Sequence, residues 1–524
     1  MEEKGLIAKT CEITAKDHSC LLKERDCDPD VCKYAKGYYK RIYKAIRDIF
    51  ESESLLSRKV IREYAIKHRV CPFEFSLDLS NYCDILIGDY NYAFDPRVRL
   101  IRYFEEKIAE PILLVDEAHN LVARGREMYS ASLDQEKISS LLELTKALKP
   151  SPKREIARLL DLFEEFDLEL LNVDFIKYEE PNSYLVQLTK RLLVKLDQVL
   201  TSDRKIPNRS KIMEGYFILN QFVKASEFYN DDFVFLLERV DKNIRASIKC
   251  LDASGFILSS IKETALATVF FSATLDPSEY YQTLLTKNEG QSVKMVSPFR
   301  QENLLLLTVD TISTRYQDRK DSLEEIAEIA RIMIEGKKGN YIMFFPSYEY
   351  LKLVEAKLSF KGDVEIIRQT REMSRQDRSE TIMMFKTEST KTQVGLFVMG
   401  GVFAESIDLI GDMLSGVLIV GVGLPALSPF NNILRSHFDE KFHQGFDYAY
   451  TYPGLNKVIQ AVGRVIRTET DRGIAVLVDD RFASPKYLRL YPREWSHMRI
   501  IKDLSDLKNH IDYFWNKKPD IIDS

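Results

Sequence analysis

The eight residues Ile112-Leu-Leu-Val-Asp116-Glu117-Ala118-His119 join an apolar run to two adjacent acids. Four apolar residues in a row predict a short strand, and the acids follow where that strand ends. A nucleotide hydrolase needs acids at such a position, because one carboxylate can hold Mg²⁺ and the next can orient and deprotonate the attacking water. The alternative is an aspartate that begins a helix beside unrelated neighbours. This motif alone leaves both interpretations open.

A second motif, Gln460-Ala-Val-Gly463-Arg464-Val-Ile-Arg467, contains two arginines three positions apart. On a helix their guanidinium groups would share one face, one turn apart. Planar and permanently charged groups suit the charge that develops on a transferring phosphoryl group. The alternative is a solvated helix face, which is the commoner fate of such pairs.

Two further segments lie between these motifs, and each follows an apolar run. Ser272-Ala-Thr274 comes after a buried strand predicted at residues 269–271. Gly400-Gly401-Val-Phe-Ala-Glu405-Ser-Ile-Asp408 comes after a strand predicted at residues 394–399. The chain therefore repeats one pattern, a strand that ends in polar or glycine-rich sequence.

The composition is that of an ordinary globular protein. With 524 residues, the chain is long enough for three or four domains, and 45% of its residues are apolar. Its 75 Lys and Arg nearly balance 80 Asp and Glu. The acidic start MEEKG and the lack of any apolar run of membrane-spanning length predict a cytoplasmic or nuclear protein, and we expect the cytoplasm.

The secondary-structure pattern changes twice along the chain. Residues 125–262 have mostly helical spacing and predict a helical insertion. From about residue 300 strands alternate with helices, which is typical of a parallel α/β domain. One of these helices is predicted to begin with the capping pair Ser322 and Glu325 and to end near Gly336.

The cysteines are crowded near the start of the chain. Their odd number argues against a disulfide framework, and four thiolates suit either an iron-sulfur cluster or a structural zinc. Six of the seven lie within the first 83 residues: Cys11, Cys20, Cys27, Cys32, Cys71 and Cys83.

A basic, tyrosine-rich segment follows Cys32. Residues 33–69 carry eleven Lys or Arg against four Asp or Glu, a local charge of +7 in a chain of net charge −5. Such a segment can bind single-stranded DNA by neutralising phosphates and stacking bases, or it can be a solvated helix whose tyrosines pack inward. We expect one helix face in the core and one toward DNA. The candidate DNA-binding residues are Tyr38, Tyr39, Lys40, Arg41 and Lys44.

The order of these motifs resembles that of the iron-sulfur superfamily 2 DNA helicases of the XPD/DinG type. DEAH at 116–119, SAT at 272–274, the glycine-rich ESID segment at 400–408 and QAVGRVIR at 460–467 occur in the family's order. KYAKGYYKR, RVCPFEFSLD, DYNYAFDPRV and FDYAYTYPGLNKVIQAVGRVIRT look most like the bacterial DinG-related branch. The resemblance covers nearly the whole chain. One departure is Ser406, where the family usually has glycine.

The resemblance implies roles for the motif residues. Asp116 and Glu117 would bind Mg²⁺ and activate water, while His119 and residues 272–274 would couple the nucleotide state to the grip on DNA. The implied residues of the nucleotide-facing cleft are Gly400, Gly401, Glu405, Asp408 and Gly463, and those reaching the phosphates are Gln460, Arg464 and Arg467.

The resemblance also selects a 4Fe–4S cluster over zinc. The implied ligands are Cys20, Cys27, Cys32 and Cys71, spaced as Cys-x6-Cys-x4-Cys-x38-Cys. Cys11 competes with these for a place among the first two ligands. ATP and Mg²⁺ are the other implied cofactors.

The phosphate-binding loop of such an enzyme is missing from the sequence. No stretch matches G-x-x-x-x-G-K-[ST], the loop whose backbone N–H groups cradle phosphates and whose lysine neutralises them. We therefore expect either an N-terminally truncated helicase or one that has lost its activity.

The expected fold class is α/β, with two RecA-like motor domains of the P-loop NTPase type, the first incomplete, and with inserted iron-sulfur and helical arch domains. The predicted segments are 1–18, 81–125 and 263–298 for the first motor domain, 19–80 for the cluster domain, 126–262 for the arch and 299–524 for the second motor domain.

The implied activity is ATP-driven 5′ to 3′ movement of a monomer on single-stranded DNA and duplex junctions, in DNA repair. The alternative is a non-catalytic iron-sulfur protein that binds single-stranded DNA.

Overall fold

The computed structural model describes residues 8–100, 111–201, 206–386, 391–401, 403 and 414–517. The predicted site residues Glu405 and Asp408 lie outside these ranges. The chain divides into two compact units. The first comprises Met1–Val115 and Asn120–Val269, and the second comprises Asp116–His119 and Phe270–Ser524.

The second unit is built on a parallel sheet of seven strands. Their order is β12-β13-β11-β14-β15-β10-β16, and each neighbouring pair is parallel. The strands are β10 (Leu304–Val309), β11 (Asn340–Phe345), β12 (Val364–Arg368), β13 (Thr392–Val398), β14 (Gly416–Val420), β15 (Gly473–Val478) and β16 (Arg499–Ile501). This confirms the parallel α/β domain predicted from residue 300 onward.

Both faces of this sheet are covered, as parallel sheets require. Successive residues of β10 point to opposite faces, so Leu306 packs in one apolar cluster with Phe344 while Leu307 packs in the other with Tyr341. The long helices of this unit are Ser278–Thr286, Leu323–Glu335, Tyr348–Glu355, Arg375–Lys386, Pro429–Phe442, Tyr452–Val462 and Leu504–Asn516, and a short one is Pro485–Leu488. A π-helical turn, Asp447–Thr451, leads directly into Tyr452–Val462.

One helix of the sheet domain is capped differently from the prediction. The helix Leu323–Glu335 does begin after Ser322 and end before Gly336. However, the Ser322 side chain makes no capping hydrogen bond, because its hydroxyl contacts the carbonyl of Arg319 and the hydroxyl of Tyr350 instead. The predicted capping box is therefore wrong, although the helix bounds agree.

The first unit contains two small sheets, and the pairs of the three-stranded one are parallel. β1 (Thr10–Glu12) lies between β2 (Leu55–Leu56) and β3 (Ile85–Ile87). β4 (Ile112–Val115) pairs with β9 (Ala267–Phe270), so the predicted strand before the acids is confirmed. The strand predicted at 269–271 is not buried as expected, since Val269 and Phe271 are 49% and 43% exposed. The reason is that the described part of the chain gives β9 one neighbouring strand only.

Eleven α-helices belong to the described residues of the first unit. They are Lys16–Ser19, Tyr38–Ser52, Arg58–His68, Pro72–Ser80, Asn91–Phe94, Leu121–Tyr129, Gln135–Thr145, Lys153–Glu169, Ser183–Leu200, Arg209–Glu227 and Ser254–Thr264. No helix among the described residues is long and apolar enough to cross a bilayer.

The predicted helical insertion at 126–262 also contains a sheet that the sequence analysis missed. Four antiparallel strands are ordered β5-β8-β7-β6, with bounds Ala131–Asp134, Asn243–Cys250, Phe233–Val240 and Phe175–Tyr178. β7 and β8 form a hairpin whose turn places Asp241 at a positive φ of 54°. Their nearly continuous burial hid the alternation of apolar and polar residues that marks a half-exposed strand.

Candidate active site and cysteine module

The two acids of the DEAH motif follow β4 directly. The Asp116 Oδ1 atom accepts a hydrogen bond of 2.7 Å from the backbone N–H of Glu117. Glu117 has a φ of 47°, in the left-handed region that non-glycine residues rarely adopt. The N–H of Ala118 then donates to the carbonyl of Phe271 at 3.2 Å. This turn leaves both carboxylates exposed.

A chain of side-chain hydrogen bonds joins four predicted site residues within the second unit. The amide nitrogen of Gln460 lies 2.5 Å from Nε2 of His119, and Nδ1 of His119 lies 2.8 Å from Oγ of Ser272. The Ser272 hydroxyl donates to Oε2 of Glu117 at 3.0 Å. We refer to Gln460, His119, Ser272 and Glu117 as the relay.

The protonation of His119 follows from these contacts. Burial lowers the pKa of its imidazole, although the carboxylates of Glu117 and Asp116 raise it in part. A neutral ring has one donor and one acceptor. With Gln460 donating to Nε2, the proton lies on Nδ1 and is donated to Ser272. Every hydrogen bond in the relay therefore points toward Glu117.

The two predicted arginines do not share a helix face, which corrects the sequence analysis. The helix Tyr452–Val462 ends at Gly463, so Arg464 and Arg467 lie beyond it. Arg464 is 8% exposed, whereas Arg467 is exposed and its backbone N–H donates to Asp471 at 2.7 Å. Gly463 has a φ of −61° and a ψ of −10°, which any residue can adopt, and the chain leaves the helix there before it reaches β15.

The glycine pair after β13 lies against the helix that carries Gln460. Gly400 has a φ of 72°, and a Cβ atom there would meet Cε of Lys457 at 2.9 Å. Lys457 precedes Gln460 by one helical turn, and the sequence analysis did not single it out. The spacing of three residues between Lys457 and Gln460 could have indicated that both side chains lie on the same face of the helix. Gly401 is also tightly packed, because its Cβ would lie 3.1 Å from the Val398 carbonyl oxygen.

The four predicted cluster cysteines all lie in the first unit as free thiols. Cys20 follows a short helix, Cys32 is buried in a turn, Cys27 is exposed, and Cys71 precedes the helix Pro72–Ser80. In the part of the chain that is described, no three cysteine sulfurs approach within 4.8 Å of one another. The ligand set consequently stays a prediction.

Polar groups that can donate to a metal-bound thiolate surround Cys71. Burial raises the pKa of the Cys71 thiol above its ordinary value, and the backbone N–H groups of Glu74 and Phe73, which point at its sulfur, offset only part of this rise. Lys16 interacts electrostatically with both Cys27 and Cys71 and forms an ion pair of 3.1 Å with Glu74. Thiol donors that face N–H groups and an ammonium fit an iron-sulfur cluster, which Cys thiolates hold.

The competing ligand Cys11 has a different environment. It lies on β1, fully buried in the apolar cluster formed by the helices of residues 38–80. Its thiol donates to the carbonyl of Ser76 at 3.6 Å. A hydrogen bond with Cys83, together with burial, raises the pKa of Cys11. Cys11 therefore serves as a core residue of the sheet.

The basic helix Tyr38–Ser52 has one buried and one exposed face, as predicted. Tyr39 and Tyr43 are 84% and 77% exposed, and Lys40 and Lys44 are also exposed. Tyr38 is only 7% exposed, which corrects its assignment as a base-stacking residue.

Two of the predicted DNA-binding side chains are engaged within the protein. The Tyr38 hydroxyl donates to Asp78 at 2.7 Å. The Arg41 guanidinium donates to the backbone carbonyls of Lys36 at 2.6 Å and Arg69 at 2.7 Å. Arg41 thus holds two chain segments together, and its guanidinium would have to leave these carbonyls to bind a phosphate.

Comparison with known proteins agrees with these motifs. The DEAD_2 family model matches residues 5–138, and the helicase C-terminal domain model matches residues 330–498. The ATP-dependent DNA helicase XPD of Sulfolobus acidocaldarius is 24% identical, over 90% of this chain and 82% of its own length. The ATP-dependent DNA helicase YoaA of Haemophilus influenzae is 22% identical, over 78% of this chain and 65% of its own length.

Solved structures show the same fold. An XPD helicase has a TM-score of 0.61 at 21% identity, covering 92% of this chain and 84% of that one. Xpd4 of S. tokodaii has a TM-score of 0.56 at 15% identity, covering 81% of this chain and 84% of that one. These likenesses confirm the predicted α/β class with two RecA-like domains.

The ordered motifs, the parallel sheet and the two matching family models define a superfamily 2 helicase. Within that class, the chain is similar to the ATP-dependent DNA helicases of the XPD/DinG type.

Proposed function

We propose that this protein is the motor body of a 5′ to 3′ DNA helicase that moves on single-stranded DNA and uses ATP when a phosphate-binding loop is supplied. The relay carries this proposal. Glu117 is the acid suited to activating water. Ser272 and His119 connect it by hydrogen bonds to Gln460, on a helix that packs against the seven-stranded sheet. Through these hydrogen bonds, a movement of Glu117 on nucleotide binding or hydrolysis would shift the helix that carries Gln460, which packs on the seven-stranded sheet.

The residues have distinct chemical tasks in this proposal. The Asp116 carboxylate would hold Mg²⁺, which supplies charge neutralisation for the phosphates. Glu117 accepts the proton of the attacking water, and the Ser272 hydroxyl fixes the orientation of its carboxylate. Arg464 and Arg467 would approach the phosphates from separate positions after Gly463, and not from one helix face.

The chain as given is proposed to bind ATP poorly and to hydrolyse it negligibly. Its 524 residues contain no glycine-rich loop ending in Lys-Ser or Lys-Thr, so nothing fixes the β- and γ-phosphates. Misplacement of the reacting atoms by about 1 Å can cost about a hundredfold in rate. An otherwise intact relay cannot compensate for that loss.

The experiment is a comparison of ATP hydrolysis with and without single-stranded DNA. We expect no DNA-stimulated hydrolysis above background by the wild-type chain. The control is Glu117→Gln, which removes the proton acceptor and leaves the side chain nearly the same size. Robust DNA-stimulated hydrolysis that Glu117→Gln abolishes would contradict the proposed dependence on a missing loop.

The proposed cluster would be held by Cys20, Cys27, Cys32 and Cys71. A bound cluster would tie the loop of residues 16–37 to the start of the helix Pro72–Ser80 and could exchange one electron. The basic helix beside it would contact DNA through Tyr39, Tyr43, Lys40 and Lys44.

The second candidate function is a non-catalytic iron-sulfur protein that binds single-stranded DNA. The missing phosphate-binding loop favours it. The two candidates differ in one result: addition of a polypeptide that carries a strand and a G-x-G-K-T loop should restore hydrolysis only if the relay is still functional. Failure of a folded, DNA-binding complex to hydrolyse ATP would favour the second candidate.

A further inference from the structure

An open sheet edge lies in the insertion of residues 126–262. β6 is the last strand in the order β5-β8-β7-β6 and pairs only with β7 in the part of the chain that is described. The outer edge of a terminal strand presents unpaired N–H and C=O groups, which can pair with another strand. Nothing in the proposed helicase function uses this edge.

The register identifies which backbone groups face outward. The N–H of Arg239 donates to the carbonyl of Asp174 at 2.9 Å, and Ile176 pairs with Leu237. Inward-facing groups alternate along an antiparallel pair, so Asp174, Ile176 and Tyr178 bond toward β7. The N–H and C=O of Phe175 and Lys177 consequently point to the open edge.

An exposed apolar patch adjoins this edge. Leu168 and Leu171 are 65% and 67% exposed, and Val173 and Phe175 are also exposed. These four residues lie within eight positions, at the end of the helix Lys153–Glu169 and the start of β6. Clustered exposed apolar side chains, unlike scattered ones, mark interaction sites.

The same segment is strongly acidic. Residues 161–180 contain eight Asp or Glu and one Lys, a charge of −7 within a chain of net charge −5. Some of these acids are paired, as Glu179 is with Lys177 at 3.0 Å. Glu164, Glu165 and Asp174 form no ion pair with any described residue. An excess of carboxylates repels nucleic acid and attracts basic protein segments.

We propose that the β6 edge binds a basic, extended segment of a partner protein, which adds a fifth strand to this sheet. Main-chain hydrogen bonds to Phe175 and Lys177 would give affinity, and apolar side chains of the segment would cover the patch. The acids around the patch select basic partners. A second copy of this chain is disfavoured as the occupant, because edge-to-edge pairing would place two segments of −7 charge together.

The test uses the full chain and a fluorescein-labelled peptide of ten alternating valine and lysine residues, with binding followed by fluorescence anisotropy. Lys177→Pro removes one outward-facing N–H and leaves the inward bonds of β6 intact. Lys177→Ala is the matched control, since it removes the side chain and keeps the N–H. We expect Lys177→Pro to weaken binding roughly tenfold, as the loss of a hydrogen bond implies, and Lys177→Ala to bind at least as tightly as wild type.

Two measurements keep the test decisive if Lys177→Pro does not fold. The same peptide with alternate backbone nitrogens methylated cannot pair with the edge and should not bind. Hydrogen exchange at residues 174–178 should slow when the unmethylated peptide binds. Combined Glu164→Gln, Glu165→Gln and Asp174→Asn substitutions should weaken binding and reduce its salt dependence.

Three results would overturn the proposal. Equal binding by the methylated peptide would exclude main-chain pairing, and equal binding by a valine-glutamate peptide would exclude charge selection. A dimer of this chain in solution that is lost in Lys177→Pro would identify a second copy as the occupant.

Discussion

The side-chain nitrogen of Gln460 lies 2.5 Å from Nε2 of His119, although 341 positions separate the two residues in the chain. This contact fixes the tautomer of His119, because a donor at Nε2 leaves the ring proton on Nδ1. The proton on Nδ1 is then available to Ser272, whose hydroxyl donates to Glu117. Gln460 is therefore suited to position Glu117 without touching it.

Gln460→Ala should destabilise the second unit. The substitution leaves Nε2 of the His119 ring, whose side chain is 6% exposed, without its donor, and an unsatisfied buried polar group costs about 1 to 3 kcal/mol in the free energy of unfolding. Urea unfolding followed by fluorescence measures this change. Gln376→Ala is the control, because Gln376 is an exposed residue whose amide donates to Glu380 on the same helix, and its effect should stay within about 0.5 kcal/mol. Equal effects of the two substitutions would contradict the relay.

The low pKa of His119 predicts a dependence of stability on pH. Burial lowers its pKa in the folded state below the ordinary value of 6.5. The unfolded chain then binds more protons than the folded chain below about pH 6.5, so His119 makes the free energy of unfolding fall as the pH falls through that range. Urea unfolding at pH 7.5 and 5.5 gives the loss of unfolding free energy between these pH values for each protein. We expect a larger loss for wild type than for His119→Asn. An identical loss of stability in both proteins would show that His119 does not titrate abnormally.

The cluster assignment predicts which cysteines can be replaced. Anaerobically purified protein should be brown, with about four irons and four sulfides per chain. Cys32→Ser and Cys71→Ser should lose the visible absorbance, whereas Cys11→Ser should keep it because Cys11 lies in the core of β1. Cys83→Ser should also remain coloured. Stoichiometric zinc without sulfide, measured by elemental analysis, would contradict the assignment.

The exposed face of the basic helix should carry the affinity for single-stranded DNA. Tyr39→Ala with Tyr43→Ala should weaken binding tenfold or more, because base stacking on an aromatic ring contributes about 1 to 3 kcal/mol per base. Tyr513→Ala replaces an equally exposed tyrosine of the last helix and should have no effect. Anisotropy with a labelled oligonucleotide gives both affinities. Similar losses in all these variants would indicate nonspecific damage.

The lysines of that face predict the salt dependence of DNA binding. Lys40→Ala with Lys44→Ala should reduce the slope of log K against log salt by about 1.4, if each lysine neutralises one phosphate of a single strand. Arg41 is left unchanged, because its guanidinium holds the carbonyls of Lys36 and Arg69. Retained cluster colour serves as the check on folding. An unchanged slope would show that Lys40 and Lys44 of this helix do not neutralise DNA phosphates.

The sequence by itself predicted the motor fold and proposed most of the candidate active site. Apolar runs of three to six residues that stop just before Asp116, Ser272 or Gly400 are local signals, and their order along the chain is a strong one. The strands β4 and β13 lie where the apolar runs before Asp116 and Gly400 predict them. A parallel sheet covered on both faces makes each strand continuously apolar, which is easy to recognise without any knowledge of its neighbours.

Only the tertiary structure decided the roles that depend on distant contacts. The sequence analysis named both Tyr38 and Tyr39 as DNA-binding candidates, but Tyr38 is buried and donates to Asp78 while Tyr39 is exposed. The helix that should carry Arg464 and Arg467 ends early at Gly463, because the chain must turn toward β15. The antiparallel sheet of the insertion also depends on distant contacts. Its hairpin is held by the pairing of β7 with β8 and by burial of both strands, and a local sequence pattern records neither.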